Sequence, residues 1–291
     1  METFRGLLTT KEDAKVIITG IAYDLGASVG KGAKNAPKVI RDLSKHLPPF
    51  TMNGESIENI KLYDNGIIKT KTLKKIGINT KELFSKDLFR IFIGGDHSIS
   101  IPLHANFYDE AVKNGKTPVI IHIDAHPDFC DFYDGSKYSH ACPNMRAYEK
   151  GFSLENIVLI GIRGYERQEV EFFEKHPELK IYQSSYILEN GIDKMMNEIV
   201  NKYSDERYEI YLSYDIDAND PSFVTGTGTP EAFGLHSYTV LKIVTGLISK
   251  LNVTTMDIVE VSPNLDDKNN TASWLVLKTL YEIFKELLEK R

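Results

Sequence analysis

Short runs of β-branched and aliphatic residues alternate along the chain with longer segments in which apolar residues recur every three or four positions. The short runs are typical of strands, and the longer pattern is typical of amphipathic helices. Two of the runs, VIIHI and NIVLIGI, are almost continuously apolar, which favours central strands covered on both faces. The regular alternation predicts an α/β fold built from βαβ units around a parallel sheet.

The predicted elements are distributed along the whole chain. Strands are predicted at residues 16–23, 60–63, 89–93, 118–123, 157–162, 179–182, 208–214 and 254–261. Helices are predicted at residues 36–47, 100–114, 168–175, 191–203, 237–250 and 271–290. Because no repeat, low-complexity segment or long linker interrupts this series, residues 1–291 are predicted to form one domain.

Charge and composition exclude several classes of function. The net charge is −6, and no lysine- or arginine-rich block marks one face, which argues against nucleic-acid binding. No apolar stretch reaches the roughly 18 residues of a membrane span, and the first residues do not resemble a signal peptide. The two cysteines, Cys130 and Cys142, are too few for a disulfide framework. We therefore expect a cytoplasmic protein that binds neither nucleic acid nor membrane, while its acidic balance would suit a cationic substrate.

Four predicted strands end in polar motifs. These are GGDHS at 94–98, DAHPD at 124–128, SYDID at 213–217 and DIVEVSP at 257–263. In open parallel sheets the ligand crevice lies beyond the carboxyl ends of the strands. Each motif alone could be a turn or a helix cap, since aspartates commonly stabilise such structures. Their coincidence at four strand ends favours one shared site.

The residue types in these motifs suit metal ions. In DAHPD and DID they recur at every second position, so an extended backbone sends them to the same side. Imidazole and carboxylate groups without thiolates favour borderline-to-hard divalent cations. Six such ligands are enough for two ions roughly 3.5–4 Å apart, as in dinuclear hydrolases, if two carboxylates bridge. The candidate ligands are His97, Asp124, His126, Asp128, Asp215 and Asp217.

The motifs and their order resemble those of the ureohydrolase family, which includes agmatinases and arginases. They are GGDHS, DAHPD, SYDID with the following DPS and GTGTP, and DIVEVSP. The similarity begins at GIAYDLGASVGKGAKNAPKVIRDLS and spans nearly the whole chain. The resemblance implies a three-layer αβα sandwich with a parallel sheet of about eight strands. It also implies a binuclear manganese centre, with two Mn²⁺ per chain, and a homo-oligomer that is a trimer or a hexamer.

The resemblance further assigns the candidate ligands to the two ions. One manganese would be held by His97, Asp124, Asp128 and Asp215. The other would be held by Asp124, His126, Asp215 and Asp217. Asp124 and Asp215 would then bridge the ions, and Ser213 would orient a ligand from behind.

Hydrolysis of a guanidinium needs an activated water and a proton for the departing amine, because the delocalised charge makes the carbon a poor electrophile. Two ions sharing one water would hold a bridging hydroxide near neutral pH. Glu260 could pair bidentately with the guanidinium, although a strand-end glutamate can also face solvent. His140 is a candidate proton shuttle, although loop histidines are often structural. The resemblance suggests that Asp128 passes the proton to the leaving nitrogen.

The choice of substrate depends on the charge at its far end. Agmatine ends in an ammonium, whereas arginine and guanidinobutyrate end in a carboxylate. We expect the segment between Asp128 and His140 to face that end, with Asp131 and Asp134 suiting an ammonium and Lys137 suiting a carboxylate. The segments DGSKYSHA and GTGTPE resemble those of agmatinases. The sequence therefore favours hydrolysis of agmatine to putrescine and urea, with an arginase or guanidinobutyrase as the alternative.

Two other interpretations stay open. The same centre could hydrolyse another amidine, such as formiminoglutamate, or the protein could be a metal-dependent binding protein that has lost catalysis. One stretch departs from the family pattern, since Thr225 stands where proline is common and Ala232 and Phe233 stand where a proline-glycine pair is usual. These changes alter loop stiffness and bear on substrate preference more than on metal binding.

Overall fold

Eight parallel strands form one sheet in the computed structural model, which describes residues 2–290. The strands are β1 (Val16–Ala22), β2 (Leu62–Lys69), β3 (Phe89–Ile93), β4 (Thr117–Ile123), β5 (Ile157–Ile162), β6 (Lys180–Gln183), β7 (Tyr208–Asp215) and β8 (Val253–Val259). Their order across the sheet is β2-β1-β3-β8-β7-β4-β5-β6. Each predicted strand overlaps an observed one, and the predicted α/β class with its parallel sheet is confirmed.

Helices cover both faces of this sheet. Within residues 2–290 they are α1 (Ala36–Ser44), α2 (Leu73–Phe84), α3 (Ser100–Lys113), α4 (Pro143–Lys150), α5 (Arg167–Phe173), α6 (Ser184–Asn190), α7 (Asp193–Tyr203), α8 (Ser237–Lys250) and α9 (Thr271–Glu289). None of the helices in this part of the chain combines the length and apolarity needed to cross a membrane.

Two hydrophobic cores separate the three layers. Val16 and Ile18 of β1 face one core, which also contains buried side chains of α1, α6, α7, α8 and α9. Ile17 and Ile21 of the same strand face the other core, with buried side chains of α2, α3 and α4. This alternation follows from the two-residue period of a strand. The arrangement is the αβα sandwich that the resemblance implied.

Three helices, α2, α4 and α6, were not predicted. The α2 segment contains Gly77 and the β-branched residues Ile76, Ile78 and Thr80, all of which lower helix propensity. The α4 segment, PNMRAYEK, is mainly polar, and α6 has only seven residues. The ends of α1, α5 and α7 also differ by a few residues from the predicted ends.

The carboxyl ends of β3, β8, β7 and β4 lie side by side at the centre of the sheet. Ile93 pairs with Ile258 across β3 and β8, and Ile123 pairs with Tyr214 across β4 and β7. The four polar motifs follow these same strands. The topology therefore brings together groups that are far apart in sequence.

Candidate metal centre and active site

Three aspartates surround His97. The Nδ1 atom of His97 lies 3.0 Å from Asp124 Oδ2 and 3.1 Å from one carboxylate oxygen each of Asp128 and Asp215. All four residues are buried. The structure thus brings together all four residues predicted to hold the first ion.

A second cluster shares Asp124 with the first. The Nδ1 atom of His126 lies 3.2 Å from Asp217 Oδ2 and 3.5 Å from Asp124 Oδ1. Asp215 Oδ1 accepts a 2.8 Å hydrogen bond from Asp217 N, which fixes the turn after β7. The two oxygens of Asp124 therefore face different histidines, as expected of a carboxylate that could bridge two ions.

His122 is a further member of the cluster that the sequence analysis missed. It lies on β4, its Nε2 is 3.0 Å from Asp124 Oδ2, and its ring stacks on that of His97 with centroids 4.9 Å apart. The sequence contained a signal for it, because residues 122, 124 and 126 share the two-residue period that marked the other ligands.

The aspartates of this cluster carry poorly compensated charge. Burial raises the pKa of Asp215 well above its usual range, and the charges of Asp217 and Asp124 raise it further. Burial and Asp124 likewise raise the pKa of Asp217. Burial opposes ionisation of Asp124 too, but the contacts with His122, His126 and His97 hold its pKa well below the usual range.

The donor set fits two divalent cations. Asp124 Oδ2 is buried and accepts no hydrogen bond, although it lies between His97 and His122. Two groups of side chains with ligand atoms close together meet at Asp124: His97, His122, Asp124 and Asp128 in one, and Asp124, His126 and Asp217 in the other. Imidazole nitrogens and carboxylate oxygens suit such ions, which would offset the repulsion among the aspartates.

His140 and Glu260 lie beside the cluster. His140 Nδ1 is 3.1 Å from Glu260 Oε1, and His140 Nε2 is 2.8 Å from Ser28 Oγ. The same Glu260 oxygen accepts a 2.9 Å hydrogen bond from His97 N. Burial lowers the pKa of His140, but the hydrogen bond to Glu260 and the charges of Glu260, Asp128 and Asp96 raise it to about 9. The contact with Glu260 therefore favours the protonated form of His140.

The loop that carries Ser28 is fixed by Asp96, which also caps the turn at His97–Ile99 by accepting a hydrogen bond from Ser98 N. Asp96 Oδ2 accepts hydrogen bonds from Gly26 N at 2.7 Å and Ala27 N at 3.0 Å. Gly26 O in turn accepts a 3.1 Å hydrogen bond from His140 N. These contacts join the loop after β1 to the segment containing His140.

Two candidate site residues have strained backbones. Asp128 has φ 56° and Glu260 has φ 60°, in the left-handed region that non-glycine residues rarely occupy. This conformation costs roughly 1–2 kcal/mol for such a residue. Strain of this kind concentrates at functional sites, where the surrounding structure holds it in place.

A cavity of about 350 Å³ opens above the cluster. His97, His126, Asp128, His140, Asp215 and Asp217 all contribute to its wall. Glu166, Glu169 and Glu231 form part of the remaining wall, together with Tyr133 and Tyr165. Among the described residues no lysine or arginine lines it. The cavity therefore suits a positively charged ligand.

The segment between Asp128 and His140 lines the cavity through Cys130 and Tyr133, but its charged side chains, Asp131, Asp134 and Lys137, do not. Asp131 lies at the surface, where its carboxylate contacts Arg146 at 2.6 Å and Lys137 at 3.1 Å. Neither Lys137 nor Asp131 belongs to the described cavity wall. The charges of Asp131 and Lys137, two of those expected to select the substrate, are thus already paired with each other.

Arg163 links the metal cluster to the Glu231 loop, and it too was missed by the sequence analysis. Its Nη2 donates to Asp217 O at 2.7 Å and to Glu231 O at 2.8 Å, while Nε donates to Ala232 O at 3.0 Å. These bonds hold Glu231 next to the cluster, where its Oε1 lies 3.9 Å from His126 Nε2.

Comparisons with known proteins agree with this geometry. A model of the arginase family matches residues 14–285. A guanidinobutyrase from Pseudomonas aeruginosa is 30% identical over 275 residues, which cover 91% of this chain and 83% of the relative. An agmatinase from Salmonella paratyphi B is 29% identical over 286 residues, covering 92% and 87%. The crystal structure of agmatine ureohydrolase of Thermoplasma volcanium has a TM-score of 0.88 and 27% identity, covering 100% of this chain and 97% of that one.

Proposed function

The chain belongs to the arginase family of hydrolases, which act on amidino C–N bonds, and we propose that its substrate is agmatine. In this reaction water adds to the guanidinium carbon, the bond from that carbon to the alkyl nitrogen breaks, and that nitrogen takes a proton. The products are urea and putrescine.

One observation carries the choice of agmatine. The cavity wall beyond the metal cluster contains Glu166, Glu169 and Glu231 and, among the described residues, no lysine or arginine. The distal ammonium of agmatine would be attracted to the carboxylates of Glu166 and Glu231, whereas the carboxylate of arginine or guanidinobutyrate would be repelled by them. Like-charge contacts of this kind are a common means of rejecting the wrong ligand.

We propose that the centre takes two manganese ions. His97, Asp128 and the shared Asp124 and Asp215 would hold one, and His126 and Asp217 would complete the other. When bound, the ions would activate a water molecule and withdraw electron density from the guanidinium.

His140 is proposed to supply the proton to the departing amine. Its ring lines the cavity, and the contact with Glu260 favours the protonated form at neutral pH. General acids of this kind typically accelerate a reaction by about 10²–10⁴-fold. Asp128, on the same wall, is the proposed relay of that proton to the leaving nitrogen.

The bidentate contact of Glu260 with the guanidinium stays a prediction. One of its oxygens is engaged with His97 N and His140 Nδ1, and the residue is only 2% exposed. These contacts support a part for Glu260 in orienting His140. The assembly of the chain as a trimer or hexamer is likewise proposed, from family likeness, and light scattering of the purified protein would test it.

The experiment that tests the proposed function measures urea released by manganese-loaded protein. Agmatine, arginine and 4-guanidinobutyrate are supplied in parallel, each with and without a chelator. We expect chelator-sensitive urea release with kcat/KM highest for agmatine. A higher kcat/KM for 4-guanidinobutyrate, the substrate class named for the Pseudomonas relative, would overturn the choice of substrate and leave the family intact.

A further inference from the structure

Behind His97, on the side away from the cavity, lies a second buried carboxylate, Asp257 on β8. Its Oδ1 accepts a 2.7 Å hydrogen bond from Ser213 Oγ. Its Oδ2 accepts hydrogen bonds from Tyr211 Oη at 2.7 Å and Ser100 Oγ at 2.5 Å. The side chain is completely buried, and it forms none of the contacts of the metal cluster.

The direction of these hydrogen bonds follows from the number of protons available. Ser213 Oγ has one proton, and it donates that proton to the Asp257 carboxylate, which can only accept. Ser213 Oγ must then be the acceptor in its 2.8 Å contact with His97 Nε2. The imidazole therefore carries a proton on Nε2, whichever charge state it has.

A neutral histidine with its proton on Nε2 has a free lone pair on Nδ1. That atom is the one that faces Asp124, Asp128 and Asp215. The protonation pattern therefore leaves the correct nitrogen free for a metal ion. Second partners that fix the tautomer of a ligating histidine commonly change metal affinity by 10–100-fold.

We infer that Asp257 is a positioning residue that sets the tautomer of His97 through the hydroxyl of Ser213. This inference rests on the metal centre of the proposed function, and it does not depend on which guanidino compound is hydrolysed. Tyr211 and Ser100 donate hydrogen bonds to Oδ2 of Asp257, which leaves Oδ1 to accept from Ser213.

Asp257→Asn should reverse the direction of the two hydrogen bonds that Ser213 Oγ forms with residue 257 and with His97. Its single amide oxygen will take the position that accepts from Tyr211 and Ser100, which places the amide N–H toward Ser213. Ser213 Oγ will then accept from the amide and donate to His97 Nε2, which requires the imidazole proton to move to Nδ1. We expect Mn²⁺ affinity at one of the two sites to fall by about 10–100-fold.

The double variant Ser213→Ala/Asp257→Asn distinguishes tautomer reversal from simple structural damage. Without the hydroxyl, nothing forces the proton onto Nδ1, so the double variant should bind Mn²⁺ more tightly than Asp257→Asn and about as tightly as Ser213→Ala. Tyr211→Phe is the matched control, since it removes one donor to Asp257 and leaves the Ser213 contact. We expect its Mn²⁺ affinity to stay within about threefold of the natural protein.

Affinities are measured by competition with a fluorescent chelator, and tautomers by ¹⁵N–¹H correlation spectra of metal-free, histidine-labelled protein. The natural protein should show His97 protonated at Nε2, and Asp257→Asn should show the neutral ring protonated at Nδ1. Protonation of the neutral natural ring at Nδ1 alone would overturn the inference, even if no variant folds. The inference would also be overturned if Asp257→Asn bound Mn²⁺ as tightly as the natural protein, or if the double variant bound Mn²⁺ no more tightly than Asp257→Asn.

These measurements need no substrate, so they are independent of the proposed reaction. Failure to release urea from any guanidine, with the affinity series as expected, would overturn agmatine hydrolysis and leave the role of Asp257 supported. Urea release from agmatine with an unchanged Asp257→Asn affinity would do the reverse.

Discussion

The aspartates beneath the cavity and Asp131 on the neighbouring surface loop differ in what balances their charge. Asp124, Asp215 and Asp217 are buried, and among the described residues they form no ion pair with lysine or arginine. Asp131 has 55% of its side chain exposed and contacts both Arg146 and Lys137. Asp124 and Asp131 are only seven residues apart in sequence.

This difference separates acids whose charge is left uncompensated by the described residues from acids whose charge is already balanced. A buried carboxylate without a cation is costly, and its retention points to a ligand that supplies the missing charge. An exposed carboxylate with two basic neighbours is already compensated, and such surface pairs contribute little to stability. Proximity to a site in the sequence is therefore a poor guide to participation in it.

The largest expected effect is that of Asp215→Asn. Removing this charge should abolish binding of at least one ion and lower kcat for urea release by at least about 10³-fold, since the metal centre supplies several kcal/mol of transition-state stabilisation. Metal content by elemental analysis and kcat with agmatine are the measurements.

The same variant tests the charge imbalance itself. Burial and neighbouring charges disfavour the ionised form of Asp215, so metal-free Asp215→Asn should unfold at a higher temperature than the metal-free natural protein. Adding Mn²⁺ should raise the unfolding temperature of the natural protein and have much less effect on the variant. A lower unfolding temperature for the metal-free variant would show that repulsion within the metal-free cluster does not destabilise the fold.

Glu231→Lys should give the next largest effect, because it reverses a charge on the cavity wall while the backbone stays held by Arg163. We expect KM for agmatine to rise by about tenfold or more, which corresponds to about 1.4 kcal/mol of binding energy. The ratio of kcat/KM between 4-guanidinobutyrate and agmatine should increase. Glu231→Gln is the matched control, and its effect should have the same direction and be smaller. An unchanged ratio in both variants would remove Glu231 from substrate selection.

Glu169 provides a test in the pH dependence of stability. Burial raises the pKa of this carboxyl to about 7, although its contacts with Glu166 N and Phe129 N partly oppose the shift. Because the ordinary value is about 4.3, the folded chain binds more protons than the unfolded chain between these values, and stability falls as the pH rises through that window.

In Glu169→Gln this contribution should disappear, changing the difference in unfolding free energy between pH 4 and pH 8 by roughly 3 kcal/mol relative to the natural protein. Urea unfolding of both metal-free proteins at the two pH values is the measurement. Parallel pH profiles would show that the pKa of Glu169 is the same in the folded and the unfolded chain. Loss of one accepted hydrogen bond in the variant should add a pH-independent cost of about 1 kcal/mol.

The smallest effect is expected for Lys137→Ala and Asp131→Asn. Both change only the exposed group of charges, so kcat/KM for agmatine should stay within about twofold and stability within about 1 kcal/mol. A large rise in KM for either variant would restore the original expectation that this segment contacts the substrate.

The sequence was sufficient for the sheet and for most of the histidine–aspartate cluster at its carboxyl edge. Continuous apolar runs such as VIIHI marked strands buried on both faces, and the two-residue period after them marked Asp124, His126, Asp215 and Asp217. The side chains that follow such a strand have few alternative positions, because the carboxyl ends of parallel strands meet at one edge of the sheet.

The partners of Asp131, Arg163 and Asp257 could not be predicted, because each depends on a contact between distant segments. Asp131 lies 15 residues from Arg146, and Asp257 lies 44 residues from Ser213. No local period relates such pairs. The helix α4, which carries Arg146, was itself missed because its sequence is mainly polar.

The position of β8 also has a consequence for how the protein is made. Although it is the last strand in the sequence, β8 lies between β3 and β7, so it joins β2-β1-β3 to the rest of the sheet. His97 follows β3, whereas Asp124 and Asp215 lie on the other side of β8. During synthesis on the ribosome, the two halves of the cluster can be joined in the native register only after residue 259 has emerged. Sheets with such distant pairings fold slowly, so the aspartates of the cluster stay exposed to solvent until β8 has been synthesised and has paired.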